Sequence, residues 1–162
     1  MDTISHALWG KGLFGYRKYR FFSLFFGAIP DLLSFGLYFF INLLFNPSNL
    51  KFGKPVLEDL PNWLFIAYDF SHSIVIAFIF IIVTYLYNKD LCFPMLAWPF
   101  HIILDFFTHS IDYFSTPIFW PISNYRFDGI SWSNPAIMVT NIIFIFMIFI
   151  YRKKKLLSTT YN

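Results

Sequence analysis

Four apolar stretches, each long enough to cross a bilayer, constrain the fold of this chain more than any other feature; they are Phe21–Phe45, Trp63–Tyr87, Leu91–Phe107 and Pro135–Tyr151. Charged residues make up only 13% of the chain, against about 25% in soluble domains, and the mean hydropathy is +0.58. Such a chain lacks the polar surface that water requires. The sequence therefore predicts an all-α, polytopic helical membrane protein with about four main spans.

Shorter helical pieces are expected near the N-terminus. Residues 3–15 predict a short helix, and Pro30 within the first stretch is expected either to start a second helix or to kink one long helix. Residues 46–61 contain three prolines and predict the first loop outside the membrane. We expect one helical membrane domain over residues 1–155 and a short polar C-terminal tail over residues 156–162.

Basic residues are clustered at the ends of apolar stretches. Arg17, Lys18 and Arg20 form one cluster, and residues 152–155 form a second. This placement predicts contact with anionic headgroups of the lipid bilayer and, by the positive-inside rule, a cell inner-membrane protein with a cytoplasmic C-terminus. Nucleic-acid binding is not expected, because neither cluster belongs to a polar domain large enough to hold a duplex.

A polar stripe is predicted on the helix that ends the third stretch. At 100° per residue, one third of its circumference carries His101, Asp105, Thr108, His109 and Asp112. Apolar side chains cover the rest of the helix. Because imidazole and carboxylate groups at i and i+4 can hold one cation from a single helix face, the stripe predicts half of a metal site.

Four further ionisable residues lie inside or beside apolar stretches: His6, Asp31, Asp69 and His72. An unpaired charge at such a position costs about 2.5–3.5 kcal/mol. Asp31 is interpreted either as a helix N-cap alone or as a cap and metal ligand. Asp69 and His72 share a helix face at i and i+3. They are interpreted either as part of a functional site or as buried residues whose hydrogen bonds are satisfied. His6 alone would be a packed or interfacial residue.

Gathered around one or two cations, these groups would offset one another's desolvation cost. Three histidines with two or more carboxylates suit Zn²⁺, or Mn²⁺ if oxygen ligands dominate. Such a metal would lower the pKa of bound water, with Asp105 or Asp69 as candidate base. The aromatic loop 113–134 is interpreted either as an interfacial belt or as a lid whose Arg126 or Asp128 meets substrate.

Several of these elements occur together in a known family. These elements are His6, the run from Gly27 to Asp31, Ser71-His72-Ser73, the His101-x-x-x-Asp105-x-x-Thr108 element, and Trp120-Pro121 with Ser123. Their order along the chain is the one seen in the LexA-regulated, membrane-bound, metal-dependent hydrolases. Over residues 1–132 the chain resembles this family, and more distantly the zinc-dependent phospholipases C. It departs from the family at Leu33, where a second Asp often stands, and at Ala67 and Tyr68, where His-Arg is frequent.

The resemblance implies His6, Asp31, His72, His101 and Asp105 as metal ligands, whereas His109, Asp112 and Asp69 are added from helical facing. The leading hypothesis is an integral-membrane, metal-dependent hydrolase acting on lipid or other phosphoesters. A second is a non-enzymatic membrane protein that binds, senses or transports metal ions or protons. A third is a structural protein whose polar residues only hold helices together. The oligomeric state stays open.

Overall fold

The structure is a computed structural model that describes residues 1–47 and 53–160, with side chains to residue 157. Residues 48–52 of the predicted loop 46–61, and residues 161–162, lie outside the described residues. All regular structure in the described part is helical, as predicted. The α-helices are α1 (Thr3–Phe14), α2 (Phe22–Asp31), α3 (Leu37–Phe45), α4 (Asn62–Ser71), α5 (Ile74–Tyr87), α6 (Lys89–Met95), α7 (Ala97–Thr108) and α8 (Pro135–Thr160).

The predicted membrane spans are present. Three helical segments are long and apolar enough to cross a bilayer, namely Phe22–Phe45, Lys89–Thr108 and Pro135–Leu157. Helices α4 and α5 form a fourth segment if they count as one span, although they are bent by 57°. The all-α, helical membrane fold with about four spans is therefore confirmed, and α1 is the short helix predicted near the N-terminus.

The first span is continuous through Pro30. Pro30 lies inside α2, and a π-helix over Leu32–Gly36 joins α2 to α3. The missing proline N–H disturbs the ladder of hydrogen bonds, and a π-turn is one way to absorb such a disturbance. Asp31 has helical backbone angles and its side chain caps no helix. The N-cap interpretation of Asp31 is wrong, and its carboxylate is available to contacts elsewhere.

The second predicted stretch, Trp63–Tyr87, is broken in the middle. His72 ends α4, and Ser73 has an extended backbone with φ −96° and ψ 125°. The Ser73 hydroxyl accepts a hydrogen bond of 3.3 Å from the N–H of Ile76 and so caps the start of α5. Because Ser73 caps α5, a new helix begins here and the segment is not one continuous helix. The break places His72 at a helix end inside the protein.

Two helix ends differ from the sequence predictions. Helix α7 ends at Thr108, and His109 is extended with φ −114° and ψ 134°, so the prediction of one helical stripe reaching Asp112 is wrong. Helix α8 continues through the basic cluster to Thr160. Residues 156–160 of the predicted polar tail therefore extend the last helix.

Helix α1 packs against α2, α7 and α8. Its contact with α2 is very close because glycines stand at the crossing: a Cβ atom at Gly27 would lie 2.5 Å from the His6 carbonyl oxygen, and one at Gly10 would lie 2.3 Å from the Ser23 carbonyl oxygen. Small residues allow helix backbones to approach in this way. The approach brings His6 on α1 and His101 on α7 into ring contact, although a simple count of spans separates them.

Candidate metal centre

Four side chains from three parts of the chain converge on one point. Asp31 ends α2, His72 lies at the break between α4 and α5, and His101 and Asp105 stand one turn apart on α7. One ligand atom from each lies within 4.8 Å of the others, and the group could hold a metal ion. The two histidines and Asp105 are fully buried, and only the Asp31 side chain keeps 14% of its surface exposed. The structure thus brings together four of the predicted ligands.

Backbone carbonyl groups determine which ring nitrogen faces this point. The Nδ1 atom of His101 lies 2.7 Å from the Gly27 carbonyl oxygen. The Nδ1 atom of His72 lies 3.1 Å from the Tyr68 carbonyl oxygen and 3.0 Å from the Ser71 hydroxyl, which itself donates to that carbonyl. A carbonyl oxygen can only accept, so both Nδ1 atoms carry hydrogen. The Nε2 atom of each neutral ring is then a lone pair directed into the group. Metal-bound histidines are typically oriented by such a second hydrogen bond.

The inward-facing atoms of these residues lie close to one another. The two Nε2 atoms are 3.3 Å apart, and Asp105 Oδ2 lies 3.1 Å from His101 Nε2 and 3.5 Å from His72 Nε2. Asp105 Oδ2 is buried and has no hydrogen-bond partner. Lone pairs and a carboxylate oxygen at these distances repel one another unless a proton or a metal cation lies between them. Zinc bonds of about 2.0–2.1 Å in a tetrahedron place ligand atoms about 3.3 Å apart, which the observed spacing matches.

Asp31 completes the group from the end of α2. Its Oδ1 atom is 3.6 Å from His72 Nε2 and 3.7 Å from His101 Nε2. Its Oδ2 atom accepts a hydrogen bond of 2.7 Å from the Thr3 hydroxyl on α1. Helix α1 therefore orients this carboxylate, and Asp31 is the one partly exposed member of the group.

His6 lies beside the four ligands, where it contacts Asp105. Its Nε2 atom is 2.8 Å from Asp105 Oδ1, and its ring stacks on His101 with 3.5 Å between centroids. A carboxylate accepts, so Nε2 of His6 carries the hydrogen in this arrangement. The Met1 amino group also contacts Asp105 Oδ1. The structure thus makes His6 a hydrogen-bond partner that orients Asp105, outside the set of converging ligands.

His109 reaches the edge of the same region although it lies beyond the end of α7. Its Nε2 atom is 3.7 Å from Asp105 Oδ1 and 3.1 Å from the Met1 nitrogen. Its Nδ1 atom lies 2.9 Å from the Tyr68 hydroxyl, which donates to the Phe114 carbonyl oxygen at 2.7 Å. The Tyr68 ring also stacks on His72 at 3.8 Å between centroids. Tyr68 consequently holds two of the four histidines.

Burial favours the neutral form of the histidines outside the spans. It lowers the pKa of His6 to about 3, against a smaller opposing effect of the Asp105 charge. It lowers the pKa of His109 to about 4, again opposed by Asp105. Removing a charged imidazole from water is costly, which is the physical cause of both shifts. Both rings are therefore uncharged at neutral pH.

The other predicted site residues have different contacts. The Asp69 carboxylate forms an ion pair with Arg126 and accepts a hydrogen bond of 2.7 Å from its Nη2 atom. The Nη1 atom of Arg126 donates to the Ser115 carbonyl oxygen. The exposed Asp128 carboxylate accepts the N–H of Ile111 at 2.9 Å. Asp112 is exposed in the turn after α7 and is not a member of the converging group. Loop 113–134 is thus fastened to α4 through Arg126, which the sequence did not predict.

Sequence reasoning missed two groups that fix the site. Gly27 was considered only as part of a motif, and Tyr68 only as a departure from a family pattern, yet their carbonyl oxygens set the tautomers of His101 and His72. Every residue carries a carbonyl, so no sequence signal distinguishes these two. The Tyr68 hydroxyl had a weak signal, because a phenol inside a membrane segment requires a hydrogen-bond partner.

No profile of a known protein family, no curated protein sequence and no solved structure gave a significant match to the chain. The resemblance to the membrane-bound hydrolases thus stays a prediction from motifs. The assignment of the centre depends on its own geometry.

Proposed function

We propose that this protein is an integral-membrane, metal-dependent hydrolase of phosphoesters, with Zn²⁺ or Mn²⁺ bound by Asp31, His72, His101 and Asp105. One observation carries the proposal: two Nε2 atoms lie 3.3 Å apart beside a buried carboxylate oxygen that has no hydrogen-bond partner. Structural cores avoid such an arrangement, because buried polar atoms are normally paired. A divalent cation supplies the missing partner for every one of these atoms.

When bound, such an ion supplies Lewis acidity that makes water a nucleophile near neutral pH. Four protein ligands fill a tetrahedral zinc site, which is the pattern of structural zinc, whereas catalysis needs an open position. Asp31 is the partly exposed ligand, and its distances to the histidines are the longest in the group. Water is therefore expected to approach beside Asp31, or at a further position if the ion is six-coordinate Mn²⁺.

The two oxygens of Asp105 have separate roles in this proposal. Oδ2 faces the metal group, and Oδ1 accepts the hydrogen bond from His6 that holds the carboxylate in place. Of the two carboxylates predicted from sequence as candidate base, Asp69 is paired with Arg126, whereas Asp105 belongs to the metal group itself, so we assign Asp105 the role of a ligand. A partly exposed guanidinium group can bind an anionic phosphoester. Arg126 is therefore proposed to release the Asp69 carboxylate and bind the substrate in its place.

The test is hydrolysis by the purified full chain in detergent, stripped with EDTA and reloaded with Zn²⁺ or Mn²⁺. Suitable probes are 4-nitrophenyl phosphate, bis(4-nitrophenyl) phosphate and short-chain phosphatidic acid in mixed micelles. We expect turnover that EDTA abolishes and metal restores, that His72→Ala removes, and that the surface variant Asp90→Asn keeps. Metal-loaded protein that cleaves none of these esters, or a His72→Ala variant as active as wild type, would overturn the proposal.

A further inference from the structure

A second region of interest is a cavity of about 470 Å³ between the C-terminal parts of α1 and α8. Five cationic side chains line it: Lys11, Arg20, Arg152, Lys153 and Lys155. The side chains of Tyr16, Phe21 and Phe149 form aromatic walls, and none of the described lining residues is acidic. His6 and Lys11 are separated by five positions along α1, or about 7.5 Å of helix, and the cavity shares no lining residue with the four converging ligands, so it is distinct from the metal centre.

Lys11 and Arg20 are close neighbours in this cavity. Among the described residues, Lys11 Nζ donates to the Arg20 carbonyl oxygen at 3.3 Å and lies 4.3 Å from the centroid of the Phe21 ring. Burial, and then the neighbouring Arg20 charge, lower the pKa of Lys11. Like charges gathered beside a partly enclosed space repel one another, and an anion placed between them relieves that repulsion.

Arg152 has a structural role in the same wall. Its Nε and Nη2 atoms donate to the Gly12 and Leu13 carbonyl oxygens at 2.8 and 3.0 Å, and its guanidinium lies 3.7 Å from the centroid of the Tyr16 ring. It thereby satisfies carbonyl groups at the end of α1, where a cation is favourable. Arg152 therefore shapes the cavity and fixes α8 to α1.

The cavity lies at the level where the membrane spans end. Phe21 directly precedes the first span, and residues 149–156 close the last one. Only 6% of that last span is buried inside the protein, and Phe146 and Ile150 are exposed on it. A ligand whose anionic group sits among the cations would therefore have an apolar helix face for its hydrocarbon part.

We propose that this cavity binds the phosphate of an anionic phospholipid, with the acyl chains along the exposed face of α8. The phosphate meets Lys11, Arg20 and Lys153, and the aromatic walls lie at the headgroup level, where such rings are favoured. The site is independent of metal binding, so the failure of either proposal leaves the other standing.

The experiment uses native mass spectrometry of the full chain, equilibrated in mixed micelles that contain equal amounts of dioleoylphosphatidylglycerol and dioleoylphosphatidylcholine. We expect phosphatidylglycerol to be retained in preference to phosphatidylcholine. The Lys11→Gln/Arg20→Gln pair should weaken retention by roughly tenfold or more, since each cation near a lipid surface contributes separately. The charge-conserving pair Lys11→Arg/Arg20→Lys should retain the lipid.

The matched control is Lys54→Gln/Lys89→Gln, which removes the same charge from cations outside the cavity. Equal loss in this control pair would overturn the proposal in favour of diffuse electrostatic attraction. Equal retention of the two lipids would also overturn it. If inorganic phosphate fully displaced the phosphatidylglycerol, the cavity would be a site for free phosphate, and the proposal would again be overturned. Because Lys11 is partly buried, the exposed single variant Arg20→Gln and circular-dichroism melts separate lost binding from lost folding.

Discussion

Two backbone carbonyl groups determine what His72 and His101 can bind. Since the Gly27 and Tyr68 carbonyl oxygens hold both Nδ1 hydrogens, each ring presents an unprotonated Nε2 to the other. The same rings hydrogen-bonded through Nε2 would be ordinary buried histidines. The case for a cation at this centre therefore depends on orientation more than on the presence of histidine.

The first prediction concerns Tyr68. Tyr68→Phe keeps the ring that stacks on His72 but removes the hydroxyl between His109 and Phe114. We expect a loss of about 0.5–1.5 kcal/mol in the free energy of unfolding, the usual net value of a buried hydrogen bond. Metal content should be unchanged, because the Tyr68 carbonyl stays in place. The measurement is unfolding by SDS in mixed micelles, with the exposed Tyr125→Phe as control; equal stability of the two variants would contradict the assigned contact.

Residue-scale prediction from sequence succeeded where a side chain carried its own signal. The i, i+4 spacing of His101 and Asp105 and the cost of Asp31 and His72 in apolar stretches pointed to four residues that do converge. It was wrong for the helical stripe to Asp112, because α7 ends at Thr108. Asp69 looked equivalent to Asp31 in sequence, yet its neighbour Arg126 comes from a distant loop that local patterns cannot place.

At the scale of elements, glycine controls the position of α1. Gly27→Ala would place a Cβ atom 2.5 Å from the His6 carbonyl oxygen and push α1 from α2. We predict a loss of about 1–3 kcal/mol in the free energy of unfolding, as for other overpacked sites, together with weaker metal binding because the Gly27 carbonyl orients His101. SDS unfolding and metal titration measure the two effects.

The control is Gly36→Ala, also in a helix, where the nearest atoms would be 3.3–3.6 Å away. That spacing allows a methyl group with small adjustments, and alanine favours helix over glycine. If Gly27→Ala proved as stable as Gly36→Ala, the close packing of α1 on α2 would not be the cause of the centre's geometry.

Helix α8 is attached mainly to α1, and one asparagine links the two. Asn141 donates to the Ser5 hydroxyl at 2.8 Å and accepts from Trp9 Nε1 at 2.7 Å. Asn141→Leu should therefore lower the free energy of unfolding by about 0.6–2 kcal/mol, the range for hydrogen bonds between membrane helices. Thr140→Val changes the adjacent, exposed residue and should have little effect. Equal effects of the two substitutions, measured by SDS unfolding, would exclude this linking role.

Element boundaries were less predictable than element types. The apolar stretches identified every span, yet the π-helix after Pro30 and the 57° bend at His72 follow from how neighbouring helices pack. Ser73 carries a readable signal as a helix N-cap, although the apolar stretch Trp63–Tyr87 predicts a continuous helix. These irregular points are the ones that direct Asp31 and His72 inward.

For the whole molecule, the two basic clusters lie at one end, together with the start of α6. Lys18 pairs with Asp90 at 2.7 Å, which joins the segment after α1 to the first turn of α6, and Arg152 is bound to the end of α1. If α4 and α5 count as one span, loop 109–134 lies at the opposite end. By the positive-inside rule, we propose that the cationic end, with the C-terminus, faces the cytoplasm.

This orientation predicts a labelling pattern in intact cells, with Cys92→Ser as background. A membrane-impermeant maleimide should label Tyr125→Cys directly and Lys89→Cys only after permeabilisation. Both positions are exposed in the structure, so labelling depends on the side of the membrane. The reverse pattern would contradict the orientation. Equal labelling of Tyr125→Cys and Lys89→Cys before permeabilisation would contradict the arrangement with four spans.

The most direct test of the central claim is elemental analysis of the full chain, purified in detergent through a tag that contains no histidine. The proposed centre predicts about one Zn²⁺ or Mn²⁺ ion per chain, because its four ligand atoms suit a single site. His101→Ala should lose that metal while still inserting into the membrane, and the exposed control Asp128→Asn should keep it. Wild-type protein that binds no metal after incubation with Zn²⁺ or Mn²⁺, or a His101→Ala variant with the wild-type metal content, would contradict it.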